Sequence, residues 1–268
     1  MFSLQTQMLF PTHAVAPPGP LPSGAQQVRM EAADGGDELH GVHIPARSDT
    51  SRTLVLGFAG NAWNSQDAAG YLHELYPSAD VIAFHYRGYR PSTGTPSAAA
   101  LLADAPLVYD FAVSRVRPER TVAVGFSIGS GVAARLAGER PLDGLILVTP
   151  FDSLKAVASG HYPFLPVGAL FRHDMDAGAA LEHSKVPVAI VAAEHDTLIP
   201  PRRTDALRAR TGNLVFDRTI AEAGHNEIFH RPEFREAMRD ALAAVTGAPA
   251  LAPGGGAPCR GAGPGPYS

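Results

Sequence analysis

An α/β fold, with a mostly parallel sheet and helices on both faces, is predicted by three observations. Short apolar runs rich in β-branched residues read as buried strands. Longer helical patterns alternate with them from about residue 53 to 246, as parallel strands joined by crossovers require. Hydrophobic residues make up 45% of the 268-residue chain, enough to cover a sheet on both sides.

The elements follow in order. Residues 1–27 form an N-terminal arm with the proline-rich run Ala16-Pro17-Pro18-Gly19-Pro20. Residues 28–45 read as a hairpin turning at Asp34-Gly35-Gly36-Asp37. His40 and His43 alternate on that hairpin rather than forming a metal pair. Strands are expected at Thr53-Leu54-Val55-Leu56, 81–84, 121–125, 144–148, 188–193 and 214–220. The single domain thus covers 28–246. The tail 247–268 is dominated by Gly, Pro and Ala, cannot bury a core and is expected to be disordered.

Composition narrows the classes. The net charge of −4 argues against general affinity for nucleic acid. The one cysteine, Cys259, can form no internal disulfide, which suits a reducing compartment. The first residues lack a signal-peptide pattern, and no apolar run approaches a membrane span. A cytoplasmic location is therefore expected. No H-E-x-x-H, G-x-x-x-x-G-K-[ST] or G-x-G-x-x-G run is present, so neither metal nor nucleotide cofactor is expected.

The most informative stretch is Gly125-Phe126-Ser127-Ile128-Gly129, a G-x-S-x-G pentapeptide. The strand Thr121-Val122-Ala123-Val124 precedes it, and the small-residue helix pattern from Ser130 to Ala137 follows it. A serine on such a turn is strained and exposed above the sheet, beside the N–H groups of a helix start. A nucleophilic Ser127 needs a base, an orienting acid and oxyanion donors. His225, on the short loop Ala223-Gly224-His225-Asn226, is the candidate base. His230 sits in a helix-like segment and is the weaker choice. Asp196, after the strand 188–193, is the candidate acid, with Asp152, after the strand 144–148, as its rival. Ile128 N–H is one candidate oxyanion donor. The second comes from the loop Gly57-Phe58-Ala59-Gly60-Asn61-Ala62, with Asn61 preferred to Ala62.

The chain resembles the α/β-hydrolase-domain serine hydrolases, of the branch that includes acyl-protein thioesterases and many bacterial hydrolases. The resemblance rests on Gly60-Asn61-Ala62, Tyr86-Arg87-Gly88-Tyr89, Ser92-Thr93-Gly94-Thr95-Pro96-Ser97, the serine pentapeptide, Thr149-Pro150-Phe151-Asp152-Ser153-Leu154, His195-Asp196-Thr197-Leu198-Ile199-Pro200 and Gly224-His225-Asn226. It implies the α/β-hydrolase fold with at most a small cap, and Ser127, Asp196 and His225 as the triad. The chain departs from the pattern at Ala59, where the family usually has histidine, and at His85, where it usually has aspartate. Arg90-Pro91-Ser92 stands where Gly-Arg-Ser is usual.

The segment from His161 to Phe171 is aromatic and broken by prolines. It is expected either to cap the serine, with Tyr162, Phe164, Leu165 and Phe171 lining an acyl pocket, or to pack as an ordinary helix. The expected activity is hydrolysis of carboxylic esters or thioesters through an acyl-enzyme, on a small-molecule or acyl ester substrate. An amidase or peptidase with the same triad is the enzymatic alternative. A catalytically poor binding protein is the other, favoured by Ala59 and the Arg90-Pro91 loop.

Overall fold

The computed structural model describes residues 2–48, 52–162, 164 and 171–247. Eight strands form one sheet in the order β1-β2-β4-β3-β5-β6-β7-β8. They are β1 Gln26–Glu31, β2 Glu38–Ile44, β3 Thr53–Phe58, β4 Ala79–Phe84, β5 Arg120–Phe126, β6 Gly144–Val148, β7 Val188–Ala193 and β8 Leu214–Ile220. β2 pairs antiparallel with β1 and β4, and every pairing from β4 through β3 to β8 is parallel. All the strands expected from sequence are present, and the hairpin turns at residues 32–37.

The helices are α1 Phe2–Leu9, α2 Ser65–Leu75, α3 Ala98–Val116, α4 Ile128–Ala137, α5 Leu154–His161, α6 Ala177–Leu181, α7 Pro201–Arg210 and α8 Pro232–Thr246. Their starts follow the usual chemistry. Asn64, Ser97 and Ser153 cap α2, α3 and α5 by accepting backbone N–H groups, and α7 and α8 begin on proline. The segment between β6 and β7 thus contributes only the short α5 and α6 among the described residues, not a separate cap domain.

Alternation along the strands sorts the core into two faces. Leu54, Leu56, Ala123, Leu145 and Leu147 join α3, α4 and α7 on one side. Val55, Val122, Val124, Ile146 and Val148 join α2 and α8 on the other. Every residue of β3, β6 and β7 is buried, which is what helices on both faces impose.

The N-terminal arm is packed against the domain. Phe10 is 2% exposed and meets His173 edge-on, with ring centroids 5.3 Å apart. Thr6 Oγ1 lies 2.9 Å from His173 Nε2. Asn64 Nδ2 donates to the Ala16 carbonyl, Gly19 N–H donates to Asp67, and Gln66 Nε2 donates to the Gly19 carbonyl. The proline-rich run is thus laid along the start of α2. The Gly/Pro/Ala-rich tail after Gly247 lies outside the described residues.

Arg87 belongs to the scaffold. Its guanidinium pairs with Asp104 at 2.8 Å and with Asp34, and it donates to the Ala100 carbonyl. The hairpin turn is thereby tied to α3.

His85 is buried, and that burial, with His40 nearby, pushes its pKa from 6.5 down to about 4. The folded protein therefore refuses a proton that the unfolded chain accepts. This costs nothing above about pH 6.5, and stability is lost as the pH falls from there toward 4. The full loss attributable to this one ring is on the order of 3 kcal/mol. Urea unfolding across that range should show a shallower pH dependence for His85→Asn than for the parent. An unchanged slope would mean that His85 is not the group responsible.

Candidate active site

Chain order reverses between β3 and β5: β4 lies on the outer side of β3, and later strands add beyond β5. Crevices at such switch points form at the C-terminal strand ends. The loop after β3 and the turn after β5 meet there. Ser127 is that turn, between β5 and α4, with φ 50° and ψ −116°. A side-chain-bearing residue at positive φ is strained. The strain is held on both sides: Ser127 N–H donates to the Val148 carbonyl, and the Ser127 carbonyl accepts from Ser130 N–H and Oγ.

The two glycines of the pentapeptide permit this turn. A Cβ on Gly125 would lie 2.4 Å from the Gly129 carbonyl oxygen. A Cβ on Gly129 would lie 2.1 Å from the Phe58 oxygen and 2.7 Å from the Ala59 oxygen. Any other residue would push α4 away from the sheet, or from the end of β3.

Three side chains from distant loops then meet. His225 Nε2 is 3.0 Å from Ser127 Oγ, and His225 Nδ1 is 2.7 Å from Asp196 Oδ2. A carboxylate only accepts, so Nδ1 carries the ring proton and Nε2 presents its lone pair to the hydroxyl. Asp196 is fixed in turn. Its Oδ1 accepts N–H groups from Leu198 at 3.0 Å and Ile199 at 2.7 Å, which leaves Oδ2 for the imidazole. Asp196 and His225 are 6% and 9% exposed, whereas Ser127 is half-buried. The hydroxyl is thus the accessible end of a shielded relay.

The rivals lie elsewhere. Asp152 is buried, but its Oδ2 faces Arg203 at 3.3 Å, and His225 Nδ1 is taken by Asp196. His230 is exposed, at the end of a short 3-10 turn over Glu227–His230.

Ile128 is the first residue of α4, so its N–H has no partner within the helix. The loop after β3 runs against the same turn, since a Cβ on Gly60 would come within 3.8 Å of Ser127 Cβ. Asn61 follows on that loop. Its side-chain nitrogen donates to the Leu9 carbonyl at 3.3 Å, which joins the N-terminal arm to this loop.

Of the residues expected to line an acyl pocket, Phe171 is partly buried and packs against the core, with its ring 6.5 Å from that of His173. Phe164 is 98% exposed and Tyr162 is 42% exposed, so neither side chain is walled in. The reason is local: α5 ends at His161, and both residues follow on the way out of the helix. Leu165 lies outside the described residues.

An aromatic cluster that motif reading missed braces the site. Trp63, after β3, packs on Phe126, just before Ser127, at 5.1 Å, and on Phe229, just after His225, at 5.2 Å. Phe126 and Phe229 also meet, at 5.9 Å. One cluster thus spans three functional loops. Its signal in the sequence was only that an aromatic stands within a few residues of each motif.

Among the described residues, Glu194, His195 and Glu222 bring ligand-type atoms within 4.8 Å of one another. All three are exposed, and none belongs to the Ser127–His225–Asp196 chain. No helix among the described residues is long and apolar enough to cross a membrane.

No protein-family model matches the chain. The Mycobacterium tuberculosis protein Rv2307c is 32% identical over 220 residues, covering 78% of this chain and 77% of that protein. Salmonella typhi YfhR is 31% identical over 243 residues, covering 84% and 82%. The lysophosphatidylserine lipase ABHD12 of Danio rerio is 30% identical over 172 residues, but the match spans only 45% of that protein and 56% of this one. In fold, the Pyrococcus furiosus esterase PF2001 superposes with a TM-score of 0.64 over 85% of this chain and 96% of that one, at 18% identity. A Coxiella burnetii alpha-beta serine hydrolase homologue gives 0.61 over 83% and 99%, at 16% identity. The chain belongs to the α/β-hydrolase family.

The two aspartates are separable by experiment. Asp196→Asn removes the anion that holds the imidazole and should lower kcat by about 10³- to 10⁴-fold. Asp152→Asn disturbs only the contact with Arg203 and should cost far less. A larger loss from Asp152→Asn, in folded protein, would exchange the two assignments.

Proposed function

We propose that the protein is a serine hydrolase that cleaves carboxylic esters or thioesters through an acyl-enzyme on Ser127. The observation that carries the reading is the continuous hydrogen-bonded chain from Ser127 Oγ through His225 to Asp196, set on a strained turn. As Ser127 Oγ bonds to the substrate carbonyl carbon, its proton passes to His225 Nε2. Asp196 stabilises the imidazolium that forms. The N–H groups of Ile128 and Asn61 receive the negative charge on the carbonyl oxygen. Collapse breaks the bond to the leaving alkoxide or thiolate, which takes the proton from His225. Water then repeats the sequence on the acyl-serine, with His225 again as the base, and releases the acid.

The substrate class is drawn from chemistry and from one relative. Ester and thioester leaving groups make modest demands on proton delivery, which a single imidazole meets. The relative named a lysophosphatidylserine lipase favours acyl esters, of lysolipid type, as the natural class to test.

Ser127→Ala should abolish labelling by a fluorophosphonate probe and lower turnover of a chromogenic ester by about 10⁴-fold or more, as loss of a triad nucleophile does. The reading fails if the variant, folded by circular dichroism, keeps its labelling or its turnover.

A further inference from the structure

The loop carrying the second oxyanion donor is held at three successive carbonyls. Tyr86 Oη donates to the Ala59 carbonyl at 2.9 Å. Trp63 N–H donates to the Gly60 carbonyl at 3.2 Å. Tyr89 Oη donates to the Asn61 carbonyl at 2.8 Å. In a trans peptide the N–H of the next residue lies in the same plane and points the opposite way. Fixing these carbonyls therefore fixes the N–H directions of Gly60, Asn61 and Ala62. A flip of the Gly60–Asn61 plane would remove the Asn61 donor, and release of either plane flanking it would let that peptide turn. Ala59 itself has no side chain that could reach out to brace the loop.

We propose that the hydroxyls of Tyr86 and Tyr89 are positioning groups that lock the peptide planes of the 59–62 loop, so that its N–H groups are preorganised for the oxyanion. The proposal rests on the serine-hydrolase reading above. Tyr86 and Tyr89 come from the tight loop after β4, the strand beside β3, so the clamp crosses from one strand end to its neighbour. Their rings meet edge-on at 5.8 Å, and both are at most 9% exposed. Burial pushes the Tyr86 phenol well above its ordinary pKa, which keeps it a neutral donor. The Asn61 side chain, bonded to the Leu9 carbonyl, adds an anchor from the N-terminal arm. Neither tyrosine needs to touch the substrate. Each acts through the backbone carbonyl it holds.

Tyr89→Phe is the test, because it deletes one oxygen and keeps the ring. Losing a whole oxyanion donor costs about 10²- to 10³-fold in kcat. Tyr89 holds the plane next to the Gly60–Asn61 peptide that carries the donor, so its loss should loosen that donor at a cost on the order of 10-fold or more, with KM changed by less than about 3-fold. A boronic acid that forms a tetrahedral adduct on Ser127 should weaken by the same factor as kcat/KM falls. The acid limb of the kcat/KM pH profile should not move, because His225 is untouched. Tyr86→Phe carries the same expectation for the plane on the other side of the Gly60–Asn61 peptide, so either variant alone decides if the other fails to fold. Unchanged kcat, or a loss confined to KM with full boronic-acid affinity, overturns the proposal. Failure of the underlying reading would look different. The parent protein would then form no boronic-acid adduct, and its probe labelling would survive Ser127→Ala.

Discussion

The rest of the site depends on the close approach of α4's first turn to the end of β3. Gly129 lies directly under the carbonyls of Phe58 and Ala59, where a Cβ would overlap them. That contact bends the chain at Ser127 into its positive-φ conformation and sets the loop after β3 beside the hydroxyl. Without it, the start of α4 and the 59–62 loop would point at different places. The strain is retained because the surroundings over-determine it. Both flanking glycines, the Val148 carbonyl and Ser130 hold the turn from separate directions.

Once that turn is fixed, the other loops are registered to it by packing rather than by charge. Trp63, Phe126 and Phe229 form a shared apolar brace beneath the loops that follow β3, β5 and β8. Aromatic contacts of this kind are directional, so they fix orientation as well as distance. The ion pairs of Arg87, buried with Asp104 and exposed at Asp34, lie on the other side of the sheet end, where they secure the hairpin to α3. The Tyr-Arg-Gly-Tyr motif thus divides its work. Its arginine serves the scaffold, while its tyrosines reach the loop beside the serine.

Much of this was legible in the sequence. The central strands were readable because each is a short, largely apolar run between turn residues. The serine turn was readable because only glycine tolerates the two close approaches around it. Asp196 and His225 were readable from their places just past strands, and the structure brings both to Ser127. Other features depend on contacts that no local pattern encodes. The docking of the N-terminal arm turns on Phe10 finding His173, which is far away in the chain. The exposure of Tyr162 and Phe164 turns on where α5 stops, and an aromatic-rich segment gives no sign of that. The tyrosine clamp is a tertiary hydrogen-bond pattern between two loops, and each motif alone looks like an ordinary turn.

On the proposed mechanism, Ser127 carries the acyl group during turnover. The direct measurement is to mix the protein with an activated acyl ester, quench in acid before deacylation is complete, and digest for peptide mass analysis. The peptide containing Ser127 should gain one acyl group, formed in step with a burst of leaving group and absent from Ser127→Ala. Turnover with no such adduct, or an adduct on another residue that keeps pace with the burst, would contradict that mechanism.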